Sequence, residues 1–276
     1  MTKRNIMTRF VADFHLHVYK IYPLELLLQS LFDNLNRAIG PARGPDPVIK
    51  AAFLAERRRY RIFHEWQLGH FKVRGFTLTQ LNPQTLQVTR ADGDSLLLFA
   101  GRQVATTEGL ELLSLVTDAD IPDALPFADA AQRVLDTGGI PVLPWAPGKW
   151  GGARKAIIRK GIESLANRGL LICDSCIRPA FFPDPALFRF AHRLGAPIVA
   201  GTDTYPVVGE EVLVGRYATL LETDAPAPSP AEDLPRLIRD RSFKTCRRIG
   251  RRSHLPAAAQ RWLIHMFGHG QQINER

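Results

Sequence analysis

The 276-residue chain has no run of about 18 apolar residues, so no membrane-spanning helix is expected. It has three cysteines, an odd number that excludes a disulfide framework and points to a reducing, cytoplasmic setting. No apolar stretch follows the basic start Met1-Thr2-Lys3-Arg4-Asn5, because Asp13, His15 and His17 interrupt it; a secretory signal is not expected. No segment repeats. Acidic residues are the scarcer charge, 27 Asp and Glu against 36 Lys and Arg. The net charge of +9 favours anionic partners: phosphorylated small molecules, nucleic acid or an acidic membrane surface. The length suits one barrel of roughly 250 residues as well as it suits two smaller domains.

What is present is most regular from residue 127 onward. Phe127 to Thr137 reads as a helix, and Ile140-Pro141-Val142-Leu143 as a short strand after Gly138-Gly139. Arg154 to Asn167 is helical, Leu170 to Cys173 a strand, Asp184 to Leu194 a helix, and Pro197 to Ala200 a strand. Strands apolar on both faces and alternating with helices imply a parallel sheet covered by helices. Earlier, Arg9 to Val18 reads as a strand and Leu24 to Leu35 as a helix. A loop spans residues 40–45. Ala51 to His70, with its Arg57-Arg58-Arg59 run, reads as a charged helix. Phe71 to Val88 and Leu96 to Val116 look like strands, with Asp92-Gly93-Asp94 as a hairpin turn, and this β-rich stretch reads as an insertion. Ala225 to Pro230 is a stiff linker, followed by helices at about 231–240 and 256–267.

The sharpest motif is Asp13-Phe14-His15-Leu16-His17. In a regular strand Val11, Asp13, His15 and His17 share one face, and Ala12, Phe14, Leu16 and Val18 the other. Two neutral imidazoles at that spacing can chelate one divalent ion. Two structural histidines in a strand would give the same pattern. Gly201-Thr202-Asp203 directly follows a buried strand, so Asp203 would stand at the same barrel mouth, as a ligand or a proton acceptor. A turn Asp capping the next segment is the plainer alternative. Taken with His15 and His17, the functional reading is the stronger.

Other strand ends add candidates. Trp145 and Trp150 can wall a pocket, and Lys149, Arg154 and Lys155 near a helix start can hold a phosphate or carboxylate. The spacing around Lys149 is not that of a P-loop. Asp174 would point to the mouth, and Arg178 can pair with an anion. Cys173-x-x-Cys176 without a second pair is poor zinc evidence.

The segments Asp13 to His17 and Gly201 to Asp203 resemble the first and last motifs of the PHP (polymerase and histidinol phosphatase) superfamily. The order of elements is similar over about residues 9–222. The resemblance implies a distorted (β/α)7-type barrel that hydrolyses phosphate esters with bound divalent metal. Several customary ligands are substituted. Gln103 stands where a Gly-x-Glu segment places a bridging Glu, and Glu111 corresponds to an expected His. Pro144-Trp145 replaces a His-Pro, and Asp203-Thr204-Tyr205 lacks its final His. What remains, His15, His17 and Asp203 with Glu111, would hold one ion of zinc, manganese or iron rather than three.

The full expectation is a barrel over 1–224 with an inserted β-rich segment, a linker over 225–230, and a basic helical extension over 231–276 packed on the barrel. Its function would be that of a metal-dependent phosphoesterase. Asp203 or Glu111 would move the proton, and Lys149, Arg178, Asp174 and Trp145 would contact an anionic substrate. A barrel that has lost catalysis and serves as a binding or scaffold module is the first alternative. The second is a nucleic-acid-associated protein led by the basic run Arg241, Lys244, Arg247, Arg248, Arg251 and Arg252, of which 241, 244, 248 and 251 would share one helical face. His254, His265 and His269 are scattered and suggest a surface helix.

Overall fold

The computed structural model describes residues 7–40, 48–57, 60–253, 261 and 263. The opening residues 1–5, most of the 40–45 loop, Arg58, Arg59, His254, His265, His269 and most of the 256–267 helix therefore lie outside the described residues. Arg261 and Leu263 are both helical. No helix among the described residues is long and apolar enough to cross a membrane.

Among the described residues twelve strands form two sheets. The first holds β1 (Thr8–Leu16), β2 (Val48–Leu54), β3 (Phe76–Asn82), β4 (Thr85–Arg90), β5 (Ser95–Phe99), β11 (Tyr217–Thr223) and β12 (Thr245–Gly250), in the order β12-β11-β1-β2-β5-β4-β3. The second is β10 (Ile198–Gly201), β9 (Leu171–Ser175), β8 (Ile140–Pro144), β7 (Glu111–Leu115) and β6 (Gly101–Ala105), in that order. The α-helices are α1 (Leu24–Ile39), α2 (Ile62–Gln67), α3 (Phe127–Asp136), α4 (Arg154–Leu165), α5 (Ala186–Arg193) and α6 (Pro230–Asp240). The run β8-α4-β9-α5-β10 is the parallel βα pattern expected from the sequence.

The sheets face one another across a core that includes Phe10, Phe14, Phe53, Phe99, Leu113 and Val142. Phe53 stacks between Phe14 and Phe99, at centroid distances of 4.6 and 4.8 Å. Among the described residues no ladder joins the sheets into a closed barrel; Glu56 and Arg102 make one isolated bridge between them. The fold is thus mixed α/β with two apposed sheets, and among the described residues no ladder closes them into the expected distorted (β/α)7-type barrel.

Three further expectations are corrected. Residues 51–70 do not form one helix. Ala51, Phe53 and Ala55 enter the inter-sheet core while Ala52 and Leu54 pack beneath α1, so burial on both faces makes 48–54 a strand between β1 and β5. Tertiary pairing overrides the helical propensity of Ala and Leu. The β-rich stretch is not a separate insertion, because β5 runs parallel to β2 inside the first sheet and β6 and β7 complete the second. The basic run after α6 is strand β12, antiparallel to β11, so Arg247 and Arg248 point to opposite faces and no helical stripe exists there. Cys173 and Cys176 are buried free thiols, and Cys246 is a half-buried one.

Candidate metal centre

The N-terminal strand carries the site because its pleat is interrupted. The pairing of β1 with β2 shifts register between Asp13 and Leu16. Val11 packs beneath α1, and so do Leu16 and Val18, at an odd separation from it. A shift of one residue reverses the faces. His15 and His17 are thereby turned away from the α1 side, toward the inter-sheet mouth, and they do not share a face with Val11 and Asp13 as a regular strand would require.

There they meet Asp203. The Nε2 atoms of His15 and His17 are 3.0 Å apart, and Asp203 Oδ1 lies 3.5 Å from the first and 3.6 Å from the second. Four-coordinate metal bonds of about 2.1 Å place neighbouring ligand atoms about 3.4 Å apart, so these spacings fit one ion. The other Asp203 oxygen, Oδ2, accepts a hydrogen bond from Ser175 Oγ at 3.0 Å, which fixes the carboxylate plane. Asp203 has φ +54°, a left-handed conformation that Asp tolerates better than most residues. Its N–H donates to the His15 carbonyl at 2.8 Å. At Gly201 a Cβ would lie 2.5 Å from the His15 backbone nitrogen, so only glycine lets β10 approach β1 this closely.

Asp13 is fully buried and holds the frame rather than the ion. Its carboxylate accepts hydrogen bonds from His15 N (3.0 Å), Thr202 N (2.9 Å), Thr202 Oγ1 (2.5 Å) and Gly215 N (3.0 Å). Burial pushes its pKa up, and those four bonds oppose the rise. Burial also lowers the His17 imidazole to about 4, against the pull of Asp203. His17 is therefore neutral near pH 7, with a lone pair to offer. The Asp203 carboxyl is buried, yet the neighbouring His15 and His17 hold it well below the usual carboxylate range. Two imidazole nitrogens and one carboxylate are a donor set suited to zinc, manganese or iron. His15 Nδ1 is buried without a hydrogen-bond partner among the described residues, so close packing on Gly201, not a partner behind the ring, sets its orientation.

Glu111 is not among the convergent donors. It pairs with Lys149 Nζ at 2.8 Å, close enough to the mouth for its charge to act on Tyr19, Arg57 and Tyr205. Trp145 is half-buried against the core under α3–α5, and Trp150 donates to the Pro144 carbonyl at 2.9 Å. Gln103 donates its N–H to the Glu56 carbonyl. Glu56 itself lines a separate cleft of about 170 Å³ with Arg61, His64 and Arg102, where burial pushes its carboxyl up to about 7.

Asp174 and Arg178 are placed differently from the expectation of substrate contacts. Both are buried. Arg178 binds Asp174 through two bonds of 2.7 and 2.6 Å, and also reaches Asp184 and the carbonyls of Phe182 and Pro183. Arg248 and the Tyr217 hydroxyl take further contacts to Asp174, at 2.7 and 2.8 Å. These groups are consumed inside the protein.

Sequence reasoning missed Ser175, although it pairs with Gly201 in register and so faces the same mouth. It also missed Arg57, which lies just beyond β2. The Arg57 guanidinium sits 6.0 Å over the Tyr19 ring, and Tyr19 stacks on His17 at 5.4 Å. Arg57 Nε has no hydrogen-bond partner among the described residues.

Neither the comparison with protein-family models nor that with curated proteins gave a match. Among solved structures the chain is similar to the lesion-specific endonuclease PfuEndoQ of Pyrococcus furiosus, with 12% identity and a TM-score of 0.51 over 84% of this chain and 56% of that one. It is also similar to PsfC of Pseudomonas syringae, with 14% identity and a TM-score of 0.47 over 96% and 100% of the two chains. A third is a two-domain protein of Bacteroides vulgatus containing a predicted PHP-like metal-dependent phosphoesterase, with 15% identity and a TM-score of 0.45 over 86% and 64%. The chain thus spans little more than half of PfuEndoQ. At that identity the PfuEndoQ likeness shows a shared fold.

Proposed function

We propose that this protein is a metal-dependent hydrolase of phosphate esters, in which His15, His17 and Asp203 hold one divalent ion. The observation that carries the reading is the set of three donor atoms 3.0 to 3.6 Å apart, two of them imidazole nitrogens, that of His17 held neutral by burial. When bound, such an ion supplies Lewis-acid polarisation of a phosphoryl oxygen and eases ionisation of water. The fold likeness to an endonuclease supports a phosphodiester as the ester class.

The chain's own residues would divide the remaining work. Asp203 is a poor proton acceptor because its carboxyl is held so acidic. Glu111 is the carboxylate left near the mouth to accept a proton, with Lys149 holding it in place. Arg57 replaces Arg178 as the cation for the substrate phosphate: it neighbours Tyr19 and His17 and has an unused Nε–H, whereas Arg178 is saturated.

The test is hydrolysis of bis(p-nitrophenyl) phosphate and p-nitrophenyl phosphate by chelator-treated protein, with and without zinc or manganese. Metal-dependent turnover is expected, and none with either metal contradicts the reading. Arg57→Ala should raise KM about tenfold or more at unchanged metal content. An unchanged KM would remove Arg57 from the substrate site.

A further inference from the structure

We infer that the groove between the C-terminal end of α1 and strand β12 binds a polynucleotide phosphate backbone. The groove encloses about 730 Å³ and is lined by Arg9, Arg37, Arg216, Arg247, Arg248 and Arg251, with no Asp or Glu among its described lining residues. Arg248 is spoken for on the opposite face of β12, where Asp174 and Asp184 hold it at 2.7 and 2.6 Å. Arg216, Arg247 and Arg251 are in no ion pair among the described residues, and Arg37 bonds only the neutral Asn34 Oδ1 there. Like charges brought together without counter-charges repel, and a polyanion relieves that repulsion.

The arrangement is built rather than incidental. Gly250 has φ +86°, and a Cβ there would run into the Arg216 carbonyl. That carbonyl accepts the Arg251 N–H at 3.0 Å, so the glycine sets Arg216 and Arg251 side by side. Arg9 forms the floor and is 5% exposed. A neighbouring cleft on the other face of β12 makes the contrast. It is also rich in cations, but Arg241 is spent on the Gly195 and Ala166 carbonyls and Lys244 on Asp224.

Shape and composition select the ligand. Arg247 lies within β12 and Arg251 beyond its end, past the left-handed Gly250; with Arg37 on α1 they line a groove of about 730 Å³, larger than a single phosphate fills. Several phosphates in a row span it. No aromatic residue lines the groove, so bases have nothing to stack on and recognition falls to the backbone, without sequence preference. A concave channel suits a strand-like polyanion better than a bilayer plane. The site is independent of the metal centre.

The test is fluorescence anisotropy of labelled 20-nucleotide single-stranded DNA, duplex DNA and single-stranded RNA, titrated with the full chain at about 50 to 200 mM salt. Binding is expected to at least one, with a log–log salt slope of about −3 for some four phosphate contacts. R247E/R251E should weaken it at least tenfold with an unchanged melting temperature. Arg37→Glu, on the exposed face of α1, should weaken it severalfold and serves if the double variant does not fold. His17→Gln should bind like the wild type. No binding at 50 mM salt, binding unaffected by these charge reversals, or tighter binding to anionic phospholipid vesicles than to any polynucleotide would overturn the proposal.

Discussion

His17→Gln leaves a folded protein whose metal affinity is at least about 100-fold weaker and whose hydrolytic turnover falls to background. Removing a partner one shell further from an ion already costs about 10- to 100-fold, and His17 supplies a direct donor. The expected loss follows from a three-donor site, since two donors 3.5 Å apart, His15 Nε2 and Asp203 Oδ1, cannot close a coordination shell alone. Isothermal titration with zinc, alongside the phosphodiester assay, reads both effects. Wild-type affinity in the variant would show that the convergence of these side chains is structural.

The same imidazole gives the metal-free protein a pH signature. The folded-state pKa of His17 is depressed to about 4 from an ordinary 6.5. Its contribution to stability is therefore complete above pH 6.5 and is lost as pH falls through 4, because the unfolded chain takes up the proton first. Asp203, also depressed, adds loss in the same direction at lower pH. Glu56, whose carboxyl is raised to about 7, shifts stability the opposite way over the same range. From about pH 7.5 to about pH 4.5 the chelated wild type should therefore lose more melting temperature than chelated His17→Gln, in which the Glu56 contribution is unchanged; an equal or smaller loss in the wild type would contradict a buried neutral His17.

Asp174→Asn is expected to cost about 3–5 kcal/mol of stability, the range for breaking a buried ion pair by removing one partner. Arg178 is 1% exposed and would keep Asp184 as its one counter-charge among the described residues, and Arg248 would lose the same carboxylate. Lys149→Ala, which breaks a part-buried pair with Glu111, should cost clearly less than Asp174→Asn, because both its partners keep some contact with water. Urea denaturation of the two variants separates these outcomes. A stable Asp174→Asn protein with weakened substrate affinity would instead return Asp174 to the substrate site.

These two residues show where the sequence stopped being legible. Asp174 sits at a strand end, where a mouth residue would, but its partners Arg248 and Tyr217 come from strands 74 and 43 residues away. Nothing local announces such a pairing. The βα units from Ile140 to Gly201 were legible because each strand is an unbroken apolar run bounded by glycine or proline. Residues 51–55 and 245–250 were not: Ala-Ala-Phe-Leu-Ala suits a helix as well as a buried strand, and Arg241, Lys244, Arg248 and Arg251 keep a helical period by coincidence. Pairing with β1, β5 and β11 decided both. At the metal centre the three donors could be read from the motifs, but their common direction could not. The register shift after Asp13 turns the histidines toward Asp203, and a strict alternation would have faced them the other way.

The most direct test of the account is the zinc or manganese content of purified protein after reconstitution and removal of free ion, measured by elemental analysis. The geometry of His15, His17 and Asp203 predicts close to one equivalent in the wild type and almost none in His17→Gln. Less than about a tenth of an equivalent in the wild type would contradict a metal centre at this site.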